Sequence, residues 1–365
     1  MLIHRDIVRR TVSGEPACPA LGRRQSILAP DRPGSCRVIL FPRATPPSAT
    51  GRAFAGNAGG QDRRHRYRGA WSSGPARNDM LEDVVRFLIC PYCAAGLALA
   101  ERTLRCRAGH TFDVARQGYV NLLPGGSRPA GSGDTAAMVA AREAFLAKGH
   151  YAPLARCVAQ HASAGEIADD GCVVDVGAGT GYHLAEVLAR LPARDGRAPA
   201  GVALDISKYA LRRAARAHPR IGAVACDAWT GLPVRSGCAY LVLNVFAPRN
   251  GAELRRVLRD QGRLVVVTPT ARHLAELVPR LGLLNVDERK EERVAEKLSP
   301  YFDLVDRHRL EYGMRLTHGD VRALVAMGPS AWHTDPQATW ARLAELPEPF
   351  EVTASVTVAE YRGKR

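Results

Sequence analysis

Cys90-Pro91-Tyr92-Cys93 is followed, after twelve intervening residues, by Cys106 and, after three more, by His110. Three thiols and an imidazole at such paired spacings form the donor set of a tetrahedral zinc ion, because one tight turn can supply two ligands. Four protein ligands leave no open position, so the spacing points to a structural metal rather than a catalytic one. A redox Cys-x-x-Cys remains open as a reading of Cys90 and Cys93, but it leaves Cys106 and His110 unexplained. A second chemical motif follows, Asp175-Val176-Gly177-Ala178-Gly179-Thr180-Gly181. Glycines at that spacing let backbone approach a ligand where side chains would collide.

Two further acids give the glycine loop weight. Asp205 closes the next apolar run, 30 residues after Asp175, where a carboxylate can accept from both ribose hydroxyls of an adenosine cofactor. Asp227 closes the run after that, within reach of an adenine amino group. An acid ahead of the glycines, and a loop that is not Gly-x-Gly-x-x-Gly, suit S-adenosylmethionine better than a dinucleotide. The alternatives are a dehydrogenase-type fold and a tight turn that binds nothing.

The elements that must hold these residues are legible as a strand–helix alternation over 172–268. Strands are expected at Cys172–Val176, Val202–Leu204, Ala223–Ala225, Ala239–Val245 and Arg263–Thr268, with helices at Tyr182–Leu191, Lys208–Ala217 and about Ala252–Asp260. Such alternation builds a doubly wound parallel sheet with helices on both faces. Upstream, Thr111–Val114 and Tyr119–Leu123 read as short strands, and Gly125–Gly133 as a flexible link. Asp134 reads as the N-cap of a helix reaching Gly149, with a second helix from about Pro153 to His161. Downstream come helices near Arg272–Leu281 and Asp320–Met327 and long strand-like runs at Asp303–Arg315 and Phe350–Tyr361. The expected organisation is an extension over 1–79, a zinc-ribbon module over 80–125, a helical linker over 126–170 and a methyltransferase domain over 171–365.

Composition bounds the rest. The 365 residues carry a net charge of +15, which favours a polyanionic partner. Residues 1–79 hold 14 Arg, no Lys and 5 acids, so they account for +9 of that charge. Rich in Pro, Gly and Ser and without apolar periodicity, they cannot build a core. They read either as a disordered RNA-binding arm or as sequence upstream of a true start at Met80. No apolar run is long enough to span a membrane, and the N-terminus is a poor secretory signal. Nine irregularly spaced cysteines, three of them metal-ligand candidates beside His110, fit a reducing cytoplasm.

Cys-Pro-Tyr-Cys, then Cys106-Arg-Ala-Gly-His110-Thr-Phe-Asp, then Gly118-Tyr119-Val120-Asn121-Leu122-Leu123-Pro124 resemble the opening of the 23S ribosomal RNA guanine-N1 methyltransferases. Matching strings continue through Ala141–Leu146, Gly149-His150-Tyr151, Val174–Gly177, Leu204–Lys208, Phe246-Ala247-Pro248, Thr268-Pro269 and Met327–Trp332. The family includes a housekeeping enzyme of Gram-negative bacteria and relatives that protect macrolide producers from tylosin- and mycinamicin-type drugs. The resemblance implies a small zinc ribbon preceding a Rossmann-like class I S-adenosylmethionine-dependent methyltransferase domain, in a homodimer whose cleft holds an rRNA hairpin. It implies a target guanine in hairpin 35 of domain II. Residue by residue, it assigns zinc to Cys90, Cys93, Cys106 and His110. It places Asp175, Gly177, Gly179, Tyr182, His183, Asp205 and Asp227 around the cofactor.

Guanine N1 bears a proton at neutral pH, so the reaction needs an aligned donor, a flipped-out base and an acceptor for that proton. Asn244, ending the fourth strand at the mouth of the site, is a candidate to orient the base. His273 and His333 are candidate proton acceptors, each more open to a structural or RNA-contacting role, and Trp332 could stack on a base or belong to the core. Arg102, Arg105, Arg107 and Arg116 could present the ribbon to phosphates. Two rival readings are a small-molecule methyltransferase and a non-catalytic RNA-binding protein that keeps the fold. A housekeeping role on the neighbouring guanine is the rival within the family.

Overall fold

A computed structural model describes residues 79–125, 133–163, 171–193, 198–287, 289–328 and 335–365. The expected N-terminal extension, the middle of the Gly/Ser-rich link, Trp332 and His333 lie outside them. Helix α1 (Asp79–Val85) leads into a three-stranded antiparallel ribbon of β1 (Leu97–Ala100), β2 (Thr103–Cys106) and β3 (Thr111–Asp113). Then come β4 (Tyr119–Asn121), α2 (Ala136–Ala147), α3 (Ala152–Ser163), β5 (Cys172–Val176), α4 (Tyr182–Arg190), β6 (Ala200–Asp205), α5 (Lys208–Ala217) and β7 (Ile221–Ala225). The chain closes through β8 (Ala239–Val245), α6 (Gly251–Val257), β9 (Leu258–Pro269), α7 (Val278–Leu281), α8 (Lys290–Leu298), β10 (Phe302–Leu316), α9 (His318–Ala326), α10 (Pro336–Ala344) and β11 (Phe350–Gly363).

An eight-stranded sheet runs in the order β10-β11-β9-β8-β5-β6-β7-β4. The stretch from β9 to β4 is parallel throughout, whereas β11 is antiparallel to both β9 and β10. The central strands are buried on both faces, which is why they read as unbroken apolar runs. Alternate residues divide between two cores. Val173, Leu241, Leu243, Val265 and Val267 join α3, α4, α9 and β11 on one face. Val174, Val176, Val242, Leu264 and Val266 join α1, α6, α8 and the ribbon on the other.

Several elements depart from the expected pattern. Thr135 caps α2, its hydroxyl accepting from the Met138 amide, while Asp134 pairs with Arg142. Helix α6 stops at Val257, where β9 begins at Leu258, and an irregularity around Gln261 (φ 67°) shifts the register of β9 on β8 between Ala239 and Leu241. The helix expected over Arg272–Leu281 shrinks to Val278–Leu281. The turn preceding it is tied to β11, with the Thr270 and Leu274 amides donating to the Ser355 and Thr353 carbonyls, and Leu274 adopts φ 59°.

Strand β4 pairs with β7, so a piece of the ribbon segment extends the main sheet. Leu81, Val84, Phe87, Leu104, Phe112, Val120 and Leu122 share one core with Val202, Leu204 and Val224. Gly222 on β7 makes that packing possible, since a Cβ there would stand 2.1 Å from Val84 Cγ2. Gly222→Ala should force α1 off the sheet and cost about 1–3 kcal/mol of stability in urea unfolding. Adding Val84→Ala should recover part of that loss.

Candidate functional site

The four zinc-spaced side chains converge, their ligand atoms all within 4.8 Å of one another. Cys90 Sγ lies 3.5 Å and Cys106 Sγ 3.3 Å from His110 Nδ1, and Cys93 Sγ lies 3.7 Å from Cys106 Sγ. Zinc bonds of about 2.0–2.3 Å in a tetrahedron need edges of roughly 3.5–3.8 Å, so the cage is the right size and its donors are the right chemistry. Two turns shape it. The Ala94 amide donates to the Cys90 carbonyl and the Gly109 amide to the Cys106 carbonyl, with Ala94 and Gly109 at positive φ (55° and 85°). The Tyr92 ring lies 5.1 Å from the His110 ring, and its hydroxyl accepts from the Gly125 amide. Arg105, Arg107 and Arg116 are exposed nearby, whereas Arg102 donates to the Val114 carbonyl within the ribbon.

At the carboxyl end of the sheet, β5 runs into the glycine loop. The Gly177 and Ala178 amides donate to the Leu204 carbonyl of β6, and the Gly179 amide donates to Asp205 Oδ2 at 2.9 Å. The other Asp205 oxygen accepts from the Ser207 amide at 2.8 Å. Gly177, Gly179 and Gly181 all have positive φ. At Gly177 the need for glycine is also steric, since a Cβ would stand 2.5 Å from that of Ala247. Burial raises the Asp205 carboxyl, and the two amide bonds oppose that shift. Asp227 turns the chain after β7, its Oδ1 accepting from the Trp229 amide.

Asp175 is 1% exposed, and its Oδ1 has no hydrogen-bond partner among the described residues. Burial, reinforced by the charge of Asp205, pushes its carboxyl up to about 8. A cationic ligand such as S-adenosylmethionine would relieve that cost. The buried orphan acid, the side-chain-free loop and the two further strand-end acids all match a cofactor bearing an ammonium, a sulfonium and a ribose. Bound there, the cofactor supplies an electrophilic methyl group whose bonding pair departs with sulfur. Residues that could hold it are Asp175, Gly177, Gly179, Asp205 and Asp227.

A cavity of about 320 Å³ opens between the loop and the β8–β9 side of the sheet edge. Gly177, Gly179, Tyr182, His183 and His273 line it; Asp175, Asp205, Asp227 and Asn244 are not among its lining residues. His183 Nδ1 is buried without a described partner, and burial and then Arg142 lower that imidazole to about 4. Asn244, wholly buried, donates from Nδ2 to the Pro248 carbonyl at 2.8 Å and also to that of Val176. Its contacts therefore hold the Phe246–Pro248 turn against the end of β5. Phe246 takes φ 53° there.

Three further lining residues were not assigned a role from the sequence. Arg142 pairs with Asp134, donates to the Met327 carbonyl, and passes over Gly179. Tyr151 and Phe246 stand beside His273, the Tyr151 hydroxyl 3.3 Å from His273 Nε2 and the Phe246 and His273 ring centroids 5.9 Å apart. The Arg142–Met327 and Tyr151–His273 contacts join residues 185 and 122 positions apart, and no local spacing reveals them.

Strand order, the antiparallel closing pair and the cofactor loop define a class I S-adenosylmethionine-dependent methyltransferase carrying a zinc ribbon. The RlmA N-terminal zinc-ribbon model matches residues 88–128. The 23S rRNA (guanine(748)-N(1))-methyltransferase of Streptomyces fradiae is 55% identical over 285 residues, covering 78% of this chain and 99% of that protein. A Micromonospora griseorubida protein bearing the name 23S rRNA (guanine-N(1)-)-methyltransferase is 52% identical over 300 residues, with the same coverage. YxjB of Bacillus subtilis (strain 168) is 31% identical over 194 residues, 52% of this chain and 66% of that protein. The chain belongs to the family of S-adenosylmethionine-dependent 23S rRNA guanine-N1-methyltransferases.

The zinc cage should bind one metal ion per chain, measured by elemental analysis. Cys106→Ser or chelation should remove it and lower the unfolding temperature by ~10 °C or more. Asp175 makes a pH prediction with a definite sign. Its folded value is raised, to about 8, above an unfolded value of about 4, so the unfolded chain loses the proton first. Ligand-free stability should therefore fall as pH rises from about 4 to about 8 and level off above. Asp175→Asn should melt at a higher temperature than the parent above about pH 8 in thermal scans, yet bind S-adenosylmethionine more weakly by calorimetry.

Proposed function

We propose that the chain methylates N1 of a guanine in hairpin 35 of 23S rRNA domain II, at the position matching the guanine 748 in its Streptomyces fradiae relative's name. The modification protects the ribosome against tylosin- and mycinamicin-type macrolides. The 55% identity along 99% of that relative carries the choice of nucleotide. The cavity beside the glycine loop supports the chemistry, because it offers a base a place next to the cofactor's binding loop.

In this reading Cys90, Cys93, Cys106 and His110 hold a structural zinc, and the ribbon's exposed arginines meet rRNA phosphates. Asp175, Gly177, Gly179, Tyr182, His183, Asp205 and Asp227 surround S-adenosylmethionine. Asn244 acts through the turn it holds, keeping Phe246 and Ala247 against the loop. The enzyme works in the cytoplasm as a homodimer that closes around the hairpin. No helix among the described residues is long and apolar enough to cross a membrane.

The test is methyl transfer to unmodified 23S rRNA, mapped by primer extension, with macrolide susceptibility measured in a host with and without the gene. A reverse-transcription stop at the proposed guanine and at least a tenfold rise in tylosin resistance are expected. A stop at the neighbouring guanine, without resistance, gives the housekeeping role instead. Binding of cofactor and RNA without transfer gives the non-catalytic one.

A further inference from the structure

Strand β9 ends at Pro269, paired with Val356 of β11. One residue beyond, the Thr270 amide donates to the Ser355 carbonyl, and the Ser355 amide, which faces the same side, has run out of strand to pair with. His273 takes its place, and Nδ1 accepts that amide at 3.2 Å. A ring nitrogen that accepts an amide hydrogen carries none of its own, so the neutral imidazole bears its hydrogen on Nε2. Burial holds the ring neutral by lowering it to about 4. Nε2–H therefore donates to the Tyr151 hydroxyl oxygen 3.3 Å away.

This fixes the phenol. Its hydrogen lies in the ring plane and must turn away from the imidazole N–H, and it finds no other acceptor among the described residues. Burial raises the Tyr151 hydroxyl far above the ordinary tyrosine range, so it keeps that hydrogen and cannot serve as a base. Tyr151, His273 and Phe246 all line the cavity, and Ala247, next to Phe246, abuts Gly177 of the cofactor loop. The cavity thus has the cofactor loop on one side and, on another, Tyr151, whose hydroxyl hydrogen is fixed in direction. His273, whose Nε2 is already protonated, is no proton acceptor.

We propose that Tyr151 reads the target base, donating its phenolic hydrogen to guanine O6, and that His273 is the positioning residue that aims it. The proposal rests on the reading of this cavity as the place where base and cofactor meet. Guanine offers an acceptor at O6, beside N1, where adenine offers an amine, so a fixed donor selects guanine. The same bond assists the reaction. The N1–H bond breaks and its proton passes to water. N1 keeps the pair, which becomes the new N1–CH3 bond, while the old C–S pair stays on sulfur. As the proton leaves, negative charge spreads from N1 to O6, where a preorganised donor stabilises it.

Tyr151→Phe removes one oxygen and keeps the edge-on contact with Phe145, at 5.2 Å between centroids. With the domain II hairpin as substrate, it should cut the single-turnover transfer rate by ~10²–10³-fold while leaving S-adenosylmethionine affinity within about twofold. A second readout needs no catalysis. The parent should bind a guanine hairpin about tenfold or more tighter than one with 2-aminopurine, which lacks O6, at the target, and Tyr151→Phe should lose that preference. His273→Leu should resemble Tyr151→Phe, and His273→Gln, which can still donate to the phenol, should recover part of the rate. Parental rates in Tyr151→Phe, or undiminished preference for guanine over 2-aminopurine, would overturn the proposal. A parent enzyme that transfers no methyl to the hairpin would overturn the reading of the cavity and the proposal with it.

Discussion

The bond from the Gly179 amide to Asp205 is the constraint on which the site depends. It joins the loop after β5 to the end of β6, and the Gly177 and Ala178 amides reinforce it by sharing the Leu204 carbonyl. From Asp205 the chain of contacts runs outward. Asp205 holds the Ser207 amide, the Ser207 hydroxyl donates to the Asp134 carbonyl, and the Asp134 carboxylate pairs with Arg142. Arg142 then reaches the Met327 carbonyl after α9. One carboxylate thus links the cofactor loop to the helical segment before it and to the closing part of the domain. A residue with a side chain at position 179 would meet Arg142, so the same glycine serves ligand access and this linkage together.

The zinc ribbon is held by two kinds of force that add. Ligand spacing and tight turns build the metal cage, and a ribbon of this size has too little core to stand without it. Yet its apolar residues also enter the core beneath β6 and β7, and β4 hydrogen-bonds along β7. The metal therefore shapes the outer end of a module whose inner end is already part of the sheet. Any RNA contact made by Arg105 or Arg107 is thereby referred to the cofactor loop through packed strands rather than through a flexible tether.

What could be read from the sequence was whatever depends on local spacing. The Cys/His pairs, the glycine loop, Asp205 after the second strand and the long closing strands all follow from residue type and period over short windows. Missing were features set by pairing across the chain. The antiparallel placement of β11 between β9 and β10 cannot be inferred from two apolar runs. The Arg272–Leu277 stretch looks helical by composition, but Thr270 and Leu274 satisfy their amides on β11 instead. From the sequence His273 is open to a proton-accepting, a structural or an RNA-contacting role, and only the end of β9 at Pro269 makes it a substitute strand partner for Ser355. Asn244 likewise looked like a base-orienting amide, whereas its donor is spent on main-chain carbonyls.

The electrostatics of the site explain why cofactor binding and folding belong together. Asp175 and Asp205 are both buried, the charge of Asp205 disfavours that of Asp175, and Asp205 is partly compensated by backbone amides while Asp175 Oδ1 is not. An isolated buried carboxylate in that position is a cost that the folded chain carries alone until a cation arrives. A ligand with an ammonium and a sulfonium removes the cost, so part of its binding free energy appears as added stability of the sheet edge. Methyl transfer leaves a thioether with one positive charge fewer. The buried strand-end acids would therefore attract the product less than the donor, which would favour its release once the methyl has gone.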